Sequence, residues 1–128
     1  EGSFSIAQGA FATVNSDSYG SGVWMQEGLV TLSMNCSGHT TITLDFDHNF
    51  QWVSSTDYGE VQVSTDGGSS YTTVITYQAD TSTTGVHEQL DISSIAGGQS
   101  DVKIRFYYDD DNTWAWWWMV DTVGVTGS

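Results

Sequence analysis

The fold is decided by the stretch from 40 to 52, which reads Thr40-Thr41-Ile42-Thr43-Leu44-Asp45-Phe46-Asp47-His48-Asn49-Phe50-Gln51-Trp52. Apolar and polar side chains alternate along it, and residues two apart point to the same side of a β-strand. The pattern therefore predicts a long strand with one face in the core. The predicted core face consists of Ile42, Leu44, Phe46, His48, Phe50 and Trp52. Asp45 and Asp47 fall on the other face, which we expect to be solvated.

Alternation of this kind recurs along the chain, whereas no segment of useful length carries apolar residues at helical spacing. Between two alternating runs, Asp66-Gly67-Gly68-Ser69-Ser70 predicts a tight hairpin, because paired glycines accept positive φ angles. The number and spacing of the runs predict an all-β fold, an antiparallel β-sandwich of jelly-roll type. Strands are predicted at 4–14 in one or two pieces, 23–25, 28–34, 40–52, 59–65, 71–77, 86–92, 101–108 and 114–125.

Composition indicates one folded domain over residues 1–128. Hydrophobic residues make up 38% and aromatic residues 13%, enough apolar area to offset the entropy of ordering the chain. The formal net charge is -14, with Lys103 and Arg105 as the only cationic side chains apart from histidine. Such a surface repels phosphate backbones and anionic membranes, which excludes nucleic-acid and membrane-surface partners.

The single cysteine, Cys36, cannot form an intramolecular disulfide, and we expect it to be a small buried apolar residue. The longest apolar runs are too short to insert into a membrane. No signal peptide heads the chain, and because residue 1 is glutamate we expect a mature product or an excised module.

Several motifs resemble one group of modules. They are Asp47-His48-Asn49-Phe50, the run from Gly59 to Tyr71, Leu90-Asp91-Ile92-Ser93-Ser94-Ile95-Ala96-Gly97, Val102-Lys103-Ile104-Arg105-Phe106-Tyr107-Tyr108 and Trp118-Met119-Val120-Asp121-Thr122-Val123. The chain is similar to the jelly-roll modules of bacterial secreted proteins that are related to MAM, choice-of-anchor and cleaved-adhesin domains. The resemblance implies a secreted or cell-surface, non-catalytic appendage, and several members of the group bind calcium or glycans. It also implies that the first and last strands lie side by side, so that Glu1 approaches Asp121.

An acidic loop, Asp109-Asp110-Asp111-Asn112, offers hard oxygen ligands that suit calcium. Three adjacent aspartates repel one another, and a bound cation would relieve that cost. The alternative is a solvated loop in an acidic chain. The pairing of Asp121 with Glu1 that the resemblance implies is a second candidate, because Asp121 lies in an otherwise apolar strand and a buried carboxylate needs a partner or a metal. The alternative is that Asp121 faces solvent or bonds a backbone amide at a bulge. We therefore expect calcium at Glu1, Asp109, Asp110, Asp111 and Asp121.

An aromatic run follows the acidic loop. Alternation sends Trp114, Trp116 and Trp118 to one face of the predicted strand and Trp117 to the other. We expect Trp116 and Trp118 in the core and Trp114 and Trp117 as a partly exposed platform for a sugar ring. Hydrogen-bonding groups beside that platform are expected from Arg105, Tyr107 and the loop from Asp109 to Asn112. Tyr58, Tyr107 and Trp24 are weaker candidates for the platform itself.

The sequence contains little evidence for an enzyme. The three imidazoles are His39, His48 and His87, and His48 falls on the predicted core face, where a structural histidine is the commoner case. The chain has no nucleophile elbow, no zinc-type His/Glu spacing and no phosphate-binding glycine loop. Pairs of carboxylates at catalytic spacing arise by chance among sixteen acidic residues. We therefore predict no enzymatic activity, with a small hydrolase as the remote alternative.

Two functions are consistent with these features. The first is a non-catalytic, calcium-stabilised secreted module that binds carbohydrate through exposed aromatic residues. The second is a structural or adhesive module that contacts a neighbouring protein domain and has no small ligand.

Overall fold

Two four-stranded antiparallel sheets form a sandwich in the computed structural model, which describes residues 12–16, 18, 22–52, 56–82, 84–112 and 115–128. One sheet has the order β1-β8-β3-β6 and is named the β3 sheet, and the other has the order β2-β7-β4-β5 and is named the β7 sheet. The predicted all-β sandwich is confirmed. In chain order the elements are β1 (Ala12–Asn15), β2 (Gln26–Val30), β3 (Ile42–Gln51), β4 (Tyr58–Ser64), β5 (Thr72–Tyr77), β6 (Val86–Asp91), α1 (Ser93–Ala96), β7 (Lys103–Asp109) and β8 (Trp117–Gly127).

The only helix in the described part of the chain is the single turn α1, and no helix there is long and apolar enough to cross a membrane. Of the predicted first strand at 4–14, residues 4–11 lie outside the described residues.

The core lies between the sheets, and the apolar face of β3 forms its centre. Ile42, Leu44, Phe46 and Phe50 are at most 1% exposed, as their alternation predicted. From β8, Trp118 reaches across to the other sheet and contacts the ring of Phe106 at 5.9 Å between centroids. The predicted burial of Trp118 is confirmed.

The expectation that Trp116 belongs to the core is wrong. Its side chain is 42% exposed and stacks on Trp117, with ring centroids 5.5 Å apart and an interplanar angle of 14°. β8 begins only at Trp117, so the alternation of the strand does not extend back to Trp116.

A glycine in β4 makes room for the central tryptophan. A Cβ atom on Gly59 would lie 2.9 Å from Cε3 of Trp118 and 3.1 Å from Cε2 of Phe50. No side chain fits at this position unless the core moves, which explains a glycine inside a strand.

His48 is fully buried in the core face of β3. Its Nδ1 accepts a hydrogen bond from Nε1 of Trp118 at 3.0 Å, and its Nε2 lies 3.4 Å from Oε1 of Glu88. Because Nδ1 must accept, the ring is neutral with its proton on Nε2. Burial lowers the pKa of His48, which Glu88 opposes. The prediction of a structural histidine is confirmed.

The opposite face of β3 is more enclosed than expected. Asp47 is 7% exposed, and its Oδ1 lies 2.6 Å from Nδ1 of His87 on β6. The expectation of a fully solvated face is therefore wrong for Asp47, because β3 is a central strand whose neighbours carry long side chains. A bulge between Asp45 and Asp47 shifts the register with β8, where Thr122 adopts a φ of 51°.

The predicted hairpin joins β4 and β5. Gly67 and Gly68 have φ angles of 74° and 95°, as the turn requires. The carboxylate of Asp66 accepts hydrogen bonds from the hydroxyl and backbone N–H of Ser70, and these bonds lower its pKa to about 2. Elsewhere Cys36 is 4% exposed within the core cluster, and burial raises the pKa of its thiol.

Candidate functional site

The outward face of the β7 sheet gathers aromatic and hydrogen-bonding side chains. Along β7, Ile104, Phe106 and Tyr108 enter the core, so Arg105 and Tyr107 point outward. The neighbouring strands present their alternate residues to the same side through the register. We name this surface the polar-aromatic face; it consists of Trp24, Gln26, Tyr58, Glu60, Gln62, Tyr71, Thr73, Arg105, Tyr107 and Asp109.

One end of the face is organised by Asp109. Its Oδ1 accepts a hydrogen bond from Nε1 of Trp24 at 2.9 Å, and its Oδ2 accepts one from Nε2 of Gln26 at 2.9 Å. The hydroxyl of Tyr58 lies 3.4 Å from Oδ2, and the backbone N–H of Asp111 donates to Oδ1 at 2.7 Å. One carboxylate thus fixes the edge of an indole whose surface is 57% exposed.

The hydrogen bonds to Asp109 also set the protonation states of this end. Burial of Asp109 would raise its pKa, but hydrogen bonds from Gln26, Trp24, Asp111 and Tyr58 outweigh that effect and lower it. Burial and the negative charge of Asp109 raise the pKa of Tyr58 to about 12. The carboxylate is therefore ionised and the phenol protonated at neutral pH, so the phenol can donate.

Arg105 organises the other end of the face. Its guanidinium carbon lies 3.9 Å from the ring centroid of Tyr71 and 5.3 Å from that of Tyr107. Its Nε donates to Oε1 of Gln62 at 2.6 Å. The amide of Gln62 in turn donates to Glu60 at 2.8 Å, and Oγ1 of Thr73 donates to the same carboxylate oxygen at 2.6 Å. The two ends meet where Tyr58 and Tyr107 lie 6.4 Å apart between ring centroids.

A second carboxylate, Asp110, connects the loops beside the face. It is fully buried, and it accepts hydrogen bonds from Oγ of Ser16 at 2.7 Å and from the backbone N–H groups of Met25 and Asn112, each at 2.9 Å. The alternative of a solvated acidic loop therefore does not hold for Asp109 or Asp110. Both lie beneath other segments, whereas Asp111 and Asn112 are exposed with φ angles of 49° and 57°.

Of the residues predicted to bind calcium, Asp109, Asp110 and Asp111 lie together at the end of β7 and in the loop after it, and Asp121 lies on β8 of the other sheet. Asp109 and Asp110 already accept hydrogen bonds from protein donors, which use lone pairs that a metal would need. Asp121 lies on the outward side of the β3 sheet, opposite Asp47, and is half-buried. Glu1 lies outside the described residues. Within the described ranges no three or more His, Cys, Asp or Glu side chains are arranged to hold a metal ion.

The residues predicted to bind a sugar divide between two surfaces. Tyr107 and Arg105 are neighbours on the polar-aromatic face, and Asn112 lies in the loop after it. Trp117 lies on the outward side of the β3 sheet, half-buried, opposite Asn15 and Gln51. The structure therefore does not bring Trp117 to Tyr107. Trp114 lies outside the described residues.

Trp24 and Tyr58 were only weak candidates from the sequence, and Tyr71 was not predicted as a binding residue. The alternation of 59–65 contained a usable signal, because it places Glu60 and Gln62 on the side opposite Val61 and Val63. The missing information was the strand order, which sets β4 directly beside β7.

The face contains the kinds of groups that ligand-binding surfaces use. It offers aromatic rings, an exposed indole and several amide, hydroxyl and carboxylate groups whose positions are fixed by one another. Surfaces with flat apolar area and a few convergent polar groups bind ligands that present both kinds of surface.

No protein-family profile matches the sequence, so the resemblance to MAM, choice-of-anchor and cleaved-adhesin domains has no support at the family level. A search of curated proteins also finds no match. Among solved structures, the fold is similar to that of TmCBM61, a carbohydrate-binding module, in complex with beta-1,4-galactotriose. The TM-score is 0.58 at 11% sequence identity, over 93% of this chain and 83% of that chain. At this identity the likeness shows the fold, a β-sandwich shared with a carbohydrate-binding module.

Proposed function

We propose that the protein is a non-catalytic module that binds a neutral oligosaccharide on the polar-aromatic face. The observation that carries the proposal is the convergence of Trp24, Tyr58, Tyr71 and Tyr107 with fixed hydrogen-bonding groups on one side of one sheet. Sugar rings present an apolar C–H side and a rim of hydroxyls. Aromatic rings of the face can cover the first, and side chains such as Gln26 and Glu60 can bond the second.

Charge supports a neutral ligand. The formal net charge is -14, and the face itself carries Glu60 and Asp109. Two cations, Lys103 and Arg105, point to this side of β7, and the guanidinium of Arg105 is already engaged with Gln62 and two tyrosine rings. A uronic acid or sulfated sugar would therefore be repelled, whereas a neutral sugar carries no such cost.

The length of the face favours an oligosaccharide over a monosaccharide. From the level of Tyr58 to that of Gln62 the sheet extends about 13 Å, because a strand rises about 3.3 Å per residue. Trp24 and Tyr71 extend the surface at its two ends. The solved neighbour TmCBM61 is in complex with beta-1,4-galactotriose, which makes this trisaccharide the first ligand to test.

The test is calorimetric titration with beta-1,4-galactotriose and a panel of other neutral oligosaccharides. We expect at least one to bind the native protein. We expect Trp24→Ala and Tyr107→Ala each to weaken the binding of that sugar about tenfold or more, which corresponds to a loss of about 1.4 kcal/mol in binding free energy. Binding by the native protein that neither substitution weakens would contradict the assignment of the face.

The matched control is Trp116→Ala. Trp116 is also exposed, but it precedes β8 in the other sheet and stacks on Trp117. We expect this variant to bind like the native protein. Loss of binding in Trp116→Ala alone would move the site to the Trp116–Trp117 pair and overturn the proposal.

Calcium and secretion are separate parts of the proposal. The density of acidic residues supports the calcium part, and the secretion part depends on the sequence motifs alone, because no family profile matches. For calcium, we expect the midpoint of thermal unfolding to rise more in calcium chloride than in sodium chloride of equal ionic strength, because a ligand of the folded state stabilises it. Equal rises would indicate charge screening alone and would contradict a calcium site.

A further inference from the structure

Among the described residues, no strand joins the two sheets along one side of the sandwich. In the described part of the chain, β1 is the last strand of the β3 sheet and β2 is the last strand of the β7 sheet. A cleft of about 390 Å³ lies between them, with residues of both strands in its walls. The cleft leads into the core, because its apolar walls include Val14, Met25, Leu29, Phe106, Trp118 and Val120.

The β2 edge beside this cleft is unusually apolar and accessible. All five residues from Gln26 to Val30 are exposed, with Leu29 at 45% and Val30 at 44%. Just beyond the strand, Leu32 is 88% exposed. An edge strand presents unpaired backbone N–H and C=O groups, and proteins commonly protect such edges with prolines or charges. The chain has no proline, and the single charge on β2 is Glu27.

The register shows which side chains border the cleft. Glu27 is opposite Tyr108 and Leu29 is opposite Phe106, so both point to the core side of the sheet. Both line the cleft. A strand added beside β2 would therefore meet one acidic and one apolar side chain on that side.

We propose that this side of the sandwich binds an extended, basic and amphipathic polypeptide segment by strand addition to β2. The partner backbone pairs with the β2 edge, its apolar side chains enter the cleft beside Leu29, and a lysine or arginine on the same side meets Glu27. The partner is basic because Glu27 is the charge at the cleft and the whole chain carries -14. A second copy of this chain would be equally negative, and its approach is opposed.

The probe is a synthetic peptide with blocked ends, Lys-Thr-Val-Thr-Val-Thr-Lys, which presents two valines and two lysines on one side of a strand. A peptide of the same composition in permuted order, Thr-Val-Val-Lys-Lys-Thr-Thr, controls for charge alone. The titrations are followed by NMR in about 0.15 M salt, which screens long-range electrostatic attraction. We expect binding of the first peptide only, with slowed hydrogen exchange at amides of Gln26–Val30.

Two substitutions test the side chains. Glu27→Lys should invert the charge preference, so that Glu-Thr-Val-Thr-Val-Thr-Glu binds better than the basic peptide. Leu29→Lys should weaken binding of the basic peptide about tenfold or more, because a charged side chain replaces the apolar one beside the cleft. Leu32→Lys is the matched control, since Leu32 is more exposed and is not among the residues that line the cleft. It should change the affinity less than about twofold, well under the 1.4 kcal/mol that a factor of ten represents.

Several results would overturn the proposal. They are equal binding of the permuted peptide, no binding of either basic peptide, or protection at the other sheet edges, β5 and β6. Concentration-dependent dimers that Leu29→Lys abolishes would assign the edge to a second copy and refute the basic partner. The glycan proposal is independent of all these results, because the polar-aromatic face lies on the outward side of the β7 sheet.

Discussion

His48 shows how one buried side chain makes the stability of the protein depend on pH. Its Nδ1 accepts from Trp118, and burial lowers its pKa below the ordinary value of 6.5. The unfolded chain takes up a proton as the pH falls below that value, whereas the folded protein does not. Stability is therefore fully retained above about pH 6.5 and is lost as the pH falls toward the folded pKa, by up to about 1.4 kcal/mol per pH unit.

The prediction is tested by His48→Gln, whose amide oxygen can still accept from Trp118. We expect urea unfolding between about pH 7 and pH 5 to show a smaller loss of stability on acidification for the variant than for the native protein. His39→Gln replaces an exposed histidine and should behave like the native protein. Parallel pH profiles for the native protein and His48→Gln would refute the role of His48. The lowered pKa values of Asp66 and Asp109 act at lower pH, outside this range.

Asp109 has a comparable role beneath the polar-aromatic face, because four donors depend on one carboxylate. In Asp109→Asn an NH2 group would replace one carboxylate oxygen and would face N–H or O–H donors. The side chain could therefore accept fewer hydrogen bonds. We expect a loss of about 2 kcal/mol in the free energy of unfolding, typical of hydrogen bonds to a charged group. Asp111→Asn, at an exposed position where asparagine tolerates the positive φ, should cost less than about 0.5 kcal/mol. Equal losses in denaturant unfolding of the two variants would contradict this role for Asp109.

At the scale of single residues, the sequence predicted one pair of neighbours on the polar-aromatic face. Tyr107 and Arg105 were identified next to the acidic loop, and the structure places them side by side. Trp24 and Tyr71 come from distant segments, and local alternation contains no information on which strands become neighbours. The sequence also did not show that Asp109 accepts several hydrogen bonds. A run of aspartates is equally consistent with a metal site, a solvated loop or a carboxylate that is bonded by protein donors.

Among the elements, β4 and β2 each contain a glycine on a different face, and the two predict opposite effects. In Gly59→Ala the new methyl group would meet Trp118 and Phe50, which are fixed in the core. We expect a loss of about 1–3 kcal/mol, measured by thermal or denaturant unfolding, as is usual for overpacking. A variant as stable as the native protein would show that the core beneath β4 is loosely packed.

Gly28→Ala provides the contrasting case on β2. Its Cβ atom would lie 3.3 Å from Cδ of Arg105, a flexible side chain that can move away. We expect little change in stability but a weaker affinity for any sugar that binds the polar-aromatic face, because Arg105 is displaced from Tyr71 and Tyr107. Unchanged affinity, measured by titration calorimetry on a folded variant, would exclude Arg105 from the binding surface.

Element prediction succeeded where alternation was long and failed at strand ends. The core face of β3 and the β4–β5 hairpin follow from periodicity and paired glycines. Trp116 was misplaced because the beginning of β8 depends on packing against β1 and β3, not on residue type. The enclosure of Asp47 has the same origin, since a central position in a sheet is a property of the topology.

For the molecule as a whole, the charge of -14 opposes the compact state through self-repulsion. We expect the thermal midpoint to rise as sodium chloride increases from about 0.01 M to 0.5 M, because the screening length falls from about 30 Å to a few ångströms. Calorimetric scans at constant pH measure this directly. A midpoint that is independent of salt would mean that the acidic residues are already compensated, as a bound cation would do.

The burial of Cys36 has a practical consequence for studying ligands. A thiol that is 4% exposed and has a raised pKa reacts slowly with alkylating reagents, since the thiolate is the reactive form. A cysteine introduced at exposed Thr73, at the margin of the polar-aromatic face, would then be the one fast-reacting position in the protein. A fluorophore attached there would report occupancy of the face without removal of the native cysteine, and a second fluorophore position on β2 would follow the sandwich edge independently.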